Sequence, residues 1–110
     1  MSVSAEARGA ELEAELPNVV ERRIRLGAKR IILFGSLAEG KVGRASDIDL
    51  LVVLDGPGRY MDRLGAVYDA MRPAVAVAAL VLTPEEFEEL RQTRPFIKRI
   101  AERGRVLHEA

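Results

Sequence analysis

The chain has 110 residues, of which 48% are apolar, and its 17 Lys and Arg residues balance 17 Asp and Glu residues. This length and apolar fraction predict one globular domain, residues 1–110, with a modest core. The sequence has no cysteine and one histidine, which argues against disulfides, thiolate chemistry, a zinc cluster and a histidine-based triad. The balanced charge does not indicate nucleic acid as an obligate partner.

No apolar run approaches the roughly 20 residues that span a membrane. The N-terminus is acidic and lacks the basic start and apolar core of a signal peptide. We therefore expect a cytoplasmic protein with no membrane partner.

The first segment, residues 1–27, is predicted to be helical. Pro17 should either interrupt a helix over 4–16 or open a new one at its first turn, and Gly27 should end it. Apolar residues recur at helical spacing: Leu12, Leu16, Val19, Val20 and Ile24. This pattern indicates a helix that covers the remaining core, residues 29–110, with a solvated acidic outer face.

Residues 29–34 and 47–54 are predicted as strands that flank a glycine–serine turn. Gly35 would allow the backbone to approach a ligand, and Ser36 would start a short helix whose free N–H groups favour a phosphate. Asp47 and Asp49 share one strand face, about 6.6 Å apart along the backbone. Two such carboxylates repel each other, and Mg²⁺ would offset the repulsion. Together these features are typical of metal-assisted phosphoryl or nucleotidyl transfer.

The rest of the chain alternates between helices and strands. A turn at 55–58, a helix at 59–72 and an apolar strand at 74–82 come first. Asp55 lies about 20 Å of strand away from Asp49, too far to join its metal site. Thr83 and Glu86 form a capping box that begins the first of two C-terminal helices. Gly104 ends the second helix, and residues 105–109 are predicted as an edge strand. The order predicts an α/β or α+β domain with a small mixed sheet and helices on one side.

Gly35-Ser36, ten intervening residues and Asp47-Ile48-Asp49 together resemble the signature of the DNA polymerase β-like nucleotidyltransferases. At this length the chain looks like the minimal nucleotidyltransferase (MNT) group. The resemblance also covers residues 83–87 and 97–107, and so spans most of the chain from Lys29 onward. It implies the nucleotidyltransferase fold and its strand order.

The resemblance also implies a function. Asp47 and Asp49 would be the catalytic, Mg²⁺-binding residues, and Gly35, Ser36 and Ser46 would bind the nucleotide, with Ser46 in a local structural role. The reaction would move a nucleoside monophosphate, AMP from ATP first of all, to an acceptor hydroxyl. MNT proteins often act with HEPN-domain partners as toxin–antitoxin pairs. Because this chain is too short to carry its own acceptor domain, we expect a protein partner or a homo-oligomer.

One position departs from the family pattern. Family members commonly carry a third carboxylate about five residues before the Thr-Pro turn, where this chain has Ala78, and neither Ala76 nor Leu80 can substitute. An alternative function is therefore a catalytically impaired binding module or antitoxin that acts by contact alone. A further alternative, an accidental motif in an unrelated α/β domain, would fail if Ser36 lies beside Asp47 and Asp49.

Charged side chains outside the motif leave two further questions open. Lys41 and Arg44 could reach a triphosphate or be solvated loop charges. The acidic surface of the first C-terminal helix and the basic surface that follows it could be solvated or could bind a partner of complementary charge.

Overall fold

The computed structural model describes residues 4–55 and 77–110 of the chain. Its elements in chain order are α1 (Ala5–Arg25), β1 (Ala28–Phe34), α2 (Gly35–Glu39), β2 (Ile48–Leu54), β3 (Val77–Leu82), α3 (Pro84–Thr93), α4 (Pro95–Arg103) and β4 (Arg105–Glu109). The predicted helix at 59–72, most of the turn at 55–58 and the first residues of the predicted strand at 74–82 lie outside the described residues.

The strands form one mixed sheet in the order β3-β2-β1-β4. β1 pairs antiparallel with both β2 and β4, and β2 pairs in parallel with β3. The predicted fold class, a small mixed sheet with helices, is confirmed. β4 lies at the sheet edge, as its short and polar sequence predicted.

The helices cover both faces of the sheet, so the expectation that they pack on one side is wrong. On one face, Leu50 and Val52 pack with Leu12, Leu16 and Val19 of α1. On the other face, Leu51 and Val53 pack with residues of α3 and α4, namely Phe87, Ile97 and Ile100. The reason is visible in β2, which is apolar on both sides and therefore needs cover on both.

α1 runs without a break through Pro17, contrary to both expectations for that residue. A proline in a helix interior removes one backbone hydrogen bond and strains the preceding turn. Pro17 itself is exposed, but its neighbours Leu16 and Val19 are buried against the sheet. Burial of this apolar face stabilises the continuous helix enough to offset the lost bond.

The C-terminal helices follow their sequence signals closely. The Thr83 backbone N–H donates to Glu86 Oε1 (2.8 Å), and the Glu86 backbone N–H donates to Thr83 Oγ1 (3.1 Å), so the predicted capping box is confirmed. Gly104 caps the end of α4 as expected. None of the helices within 4–55 and 77–110 combines the length and hydropathy that a membrane crossing requires.

Candidate active site

The glycine–serine turn and the second aspartate meet at the end of the β1–β2 pair. Phe34, the last residue of β1, lies opposite Asp49 of β2 in the antiparallel register. The next residue, Gly35, has a φ of +77° and begins α2. A Cβ atom built on Gly35 would overlap Asp49 Oδ2 and lie 3.1 Å from Asp49 Cγ. Both the backbone angle and the missing side chain are therefore required for the carboxylate to sit here.

Asp47 and Asp49 are close enough to interact electrostatically. Burial raises the pKa of the Asp49 carboxyl above its ordinary value, and the negative charge of Asp47 raises it further. Asp47 lies one residue before β2, which begins at Ile48 and not at Asp47 as predicted. The pair forms a site of concentrated negative charge that a cation would stabilise.

The two serines tie the Gly35 turn to the loop that leads into Asp47. Ser36 Oγ and Ser46 Oγ share a hydrogen bond of 3.0 Å, and the Gly43 backbone N–H donates to Ser46 Oγ at 2.8 Å. Ser36 does not start α2 as expected, because Phe34 occupies the cap position and makes no side-chain cap bond. Ser46 holds the loop in place, in agreement with its expected local role. The motif residues thus assemble at one place, which the accidental-motif alternative does not explain.

Arg8 of α1 also reaches this site, and the sequence analysis missed it. Its Nε donates to the Ser46 carbonyl oxygen at 2.9 Å, and its Nη2 lies 3.5 Å from Asp47 Oδ1. A further bond of 2.7 Å joins Arg8 Nη1 to Glu11. The Arg8 side chain is 18% exposed and that of Asp47 is 47% exposed, so this contact is partly shielded from water. Arg8 thus fixes both the loop and one carboxylate of the pair.

The position of the expected third carboxylate is visible in the sheet. Ala78 of β3 lies directly beside Asp49 in the parallel register, and it is exposed. Within the described residues, no group of three or more His, Cys, Asp or Glu side chains is arranged to hold a metal ion. Lys41 and Arg44 are exposed and form no ion pair with the described part of the chain.

Comparison with known proteins agrees with this geometry. A model of the nucleotidyltransferase domain matches residues 14–108. A protein of Methanocaldococcus jannaschii named "putative protein adenylyltransferase" is 34% identical over 94 residues, which cover 86% of this chain and 92% of that protein. The crystal structure of a "putative nucleotidyltransferase" from Sulfolobus solfataricus aligns with a TM-score of 0.63 and 26% identity over 81% of this chain and 82% of its own. The matched region contains the whole Gly35 to Asp49 motif, and so the chain belongs to the nucleotidyltransferase domain family and is a transferase enzyme.

Proposed function

We propose that the protein transfers AMP from ATP to a hydroxyl group of a protein acceptor in a Mg²⁺-dependent reaction. The observation that carries the proposal is the contact between Gly35 and Asp49, which joins the expected phosphate-binding turn to the expected metal ligands. The choice of AMP and of a protein acceptor is supported by the name of the Methanocaldococcus relative.

The carboxylate pair is suited to Mg²⁺. Mg²⁺ prefers oxygen ligands and is commonly held by one or two carboxylates together with substrate phosphates and water. Asp47 and Asp49 offer two such carboxylates. Burial, and to a lesser extent the charge of Asp47, raise the pKa of Asp49, and a divalent cation would stabilise the ionised form of both carboxylates. When bound, the metal would neutralise charge on the phosphates.

The roles of the chain's own residues follow from their positions. Gly35 and Ser36 would hold the β- and γ-phosphates through the backbone of the turn, while Arg8 and Ser46 would keep Asp47 in place. The acceptor oxygen would form a bond to the α-phosphorus as the bond to the β-phosphate oxygen breaks. Pyrophosphate leaves, and the acceptor proton passes to solvent. Catalysis of this kind depends mainly on positioning and charge neutralisation.

The acceptor hydroxyl is proposed to belong to a second protein molecule, in keeping with the name of the Methanocaldococcus relative. We propose a HEPN-domain protein as the partner, in a cytoplasmic toxin–antitoxin pair where the modification would neutralise the toxin. A homo-oligomer is the other source of an acceptor surface.

Calorimetric titration with ATP, with and without Mg²⁺, tests the nucleotide site directly. We expect binding that requires Mg²⁺ and that Asp49→Asn abolishes. Asp55→Asn is the matched control, because Asp55 follows β2 at its opposite end and its side chain is 61% exposed. Failure of the wild-type protein to bind ATP in either condition would contradict the proposal. Transfer is then measured with ATP labelled at the α-phosphate.

A second function is favoured by one observation. Ala78 lies beside Asp49 where the family carries a further carboxylate, so this position supplies no group that could assist the acceptor hydroxyl. The protein would then act as a binding module that neutralises its partner by contact alone. Neutralisation that survives Asp49→Asn would favour contact, whereas neutralisation lost together with AMP transfer would favour the enzyme.

A further inference from the structure

A cavity of about 130 Å³ lies between α2 and α4, beside the Gly35 turn. Gly35 lines this cavity, and the Asp49 carboxylate occupies the space that a Cβ atom on Gly35 would need. Phe34, which pairs with Asp49 across the sheet, forms another part of the wall. The cavity and the candidate metal site therefore lie on either side of the Gly35 turn.

Two arginines of α4 line the cavity, and within the described residues neither is paired with a carboxylate. Arg99 and Arg103 lie one helical turn apart, and neither makes an ion pair or a hydrogen bond with the described part of the chain. Like charges at this spacing destabilise a helix. Some other surface arginines are paired, as in Arg91 with Glu88 and Arg105 with Glu13. An anion between Arg99 and Arg103 would remove their repulsion.

The wall beside these arginines is aromatic and accessible. The Phe96 side chain lines the cavity and is 54% exposed, although large apolar side chains usually bury more of their surface. Its ring meets Phe34 edge to face, with 5.6 Å between ring centroids. Arg99 and Arg103 are the charged side chains that α4 contributes to the lining beside this aromatic wall.

We propose that this cavity binds the terminal phosphates of the nucleoside triphosphate, with Arg99 and Arg103 as the phosphate-binding residues. The inference rests on the proposed function and extends its substrate site from the turn at Gly35 to α4. Guanidinium groups suit this role because their planar donors bind phosphate oxygens in pairs. A triphosphate held here also gains positive charge that offsets the neighbouring carboxylates.

Glu39 lines the same cavity and carries the opposite charge. A carboxylate repels a phosphate, so Glu39 should weaken the binding that Arg99 and Arg103 provide. The opposite charges predict opposite effects on phosphate binding. Neutralising an arginine must weaken it, and neutralising Glu39 must strengthen it.

The experiment titrates the full chain and its variants with MgATP, AMP and inorganic triphosphate. Arg99→Gln and Arg103→Gln should each lower the affinity for MgATP and for inorganic triphosphate about 10-fold, which is the effect of losing one charged hydrogen bond. The affinity for AMP should stay unchanged. Glu39→Gln should tighten both triphosphate ligands. Lys98→Gln is the control, because Lys98 is an exposed cation on the same helix that lines a different surface hollow. Thermal unfolding checks that each variant is folded.

Two results would overturn the inference. If Arg99→Gln and Arg103→Gln change triphosphate affinity no more than Lys98→Gln does, the cavity is not a phosphate site. If Arg99→Gln and Arg103→Gln weaken the binding of AMP as much as that of ATP, the cavity holds another part of the nucleotide.

Inorganic triphosphate is also titrated without Mg²⁺ and into Asp49→Asn. These titrations remove the proposed metal site but keep both arginines, and so they test this inference separately from the proposed function. Binding that needs the arginines in a protein that does not transfer AMP would support the cavity and refute the proposed AMP transfer. Mg²⁺-dependent ATP binding that is insensitive to both arginines would refute the cavity alone. Absence of binding by ATP and by triphosphate would refute both.

Discussion

Gly35 is the residue on which the position of the Asp49 carboxylate depends. With a φ of +77° and no space for a Cβ atom, Gly35→Ala should cost about 1–3 kcal/mol of stability from the backbone angle and should also displace Asp49. We expect Mg²⁺-dependent ATP binding, measured by calorimetry, to weaken at least about 10-fold, since a shifted metal ligand loses more than one charged contact.

Gly40 provides the control for this prediction. Its φ of +71° is similar, but a Cβ atom there would meet nothing within 4 Å. Gly40→Ala should therefore show a comparable loss of thermal stability and keep its ATP affinity. Equal loss of affinity in the two variants would mean that the backbone angle, and not the contact with Asp49, governs the site.

Asp49 should destabilise the metal-free protein at neutral pH. Burial and the charge of Asp47 raise its folded-state pKa above 3.8, so the folded state binds the proton more tightly than the unfolded state does. The free energy of unfolding therefore falls as pH rises from 3.8 through the raised pKa, and stays lower above it. Asp49→Asn should raise Tm near neutral pH and lose most of this advantage at acidic pH.

Thermal unfolding of the wild type and Asp49→Asn, without metal and across this pH range, checks the sign. A lower Tm for Asp49→Asn at neutral pH would contradict it. Added Mg²⁺ should raise the Tm of the wild type and leave that of the variant unchanged, because a ligand stabilises only the form that binds it.

At the scale of elements, α1 is joined to the active site through Arg8. Its bonds to the Ser46 carbonyl and Asp47 fix a loop and a proposed metal ligand that lie outside the strands. Arg8→Gln should lower MgATP affinity about 10-fold, in line with about 1.5–3 kcal/mol for hydrogen bonds to charged groups. Arg25→Gln is the matched control, since Arg25 pairs with Glu21 on the same helix but is 75% exposed. Unchanged affinity in Arg8→Gln would show that α1 only covers the sheet.

The elements differ in how far the sequence predicts them. Gly35 and Asp49 could be assigned to one site because the combined motif resembles the family signature, whereas strand alternation predicts only that Asp47 and Asp49 share a face. The capping box at Thr83 was predictable because its bonds are local. Arg8 was not, because it lies 38 positions from Ser46 and looks like any cation on a solvated helix. The continuity of α1 at Pro17 likewise depends on packing against a sheet formed by later residues.

At the scale of the whole molecule, the sheet decides how complete the active site is. The parallel pairing of β2 and β3 brings Ala78 beside Asp49, although the two residues are distant in the chain. Side chains at neighbouring positions of adjacent strands point to the same face. A carboxylate at position 78 would therefore join Asp47 and Asp49, and the exposure of Ala78 leaves room for it.

Ala78→Asp should therefore restore the third carboxylate. Without metal, the added charge should lower Tm through repulsion, and with Mg²⁺ it should raise metal affinity or turnover, the latter by about 10²–10⁴-fold if the group acts as a general base. Ala78→Asn, which has nearly the same shape without the charge, should do neither. Calorimetry with Mg²⁺ and transfer from labelled ATP measure the two effects. If neither changes, two carboxylates are all that this site uses, and neutralisation by contact becomes the better account of its function.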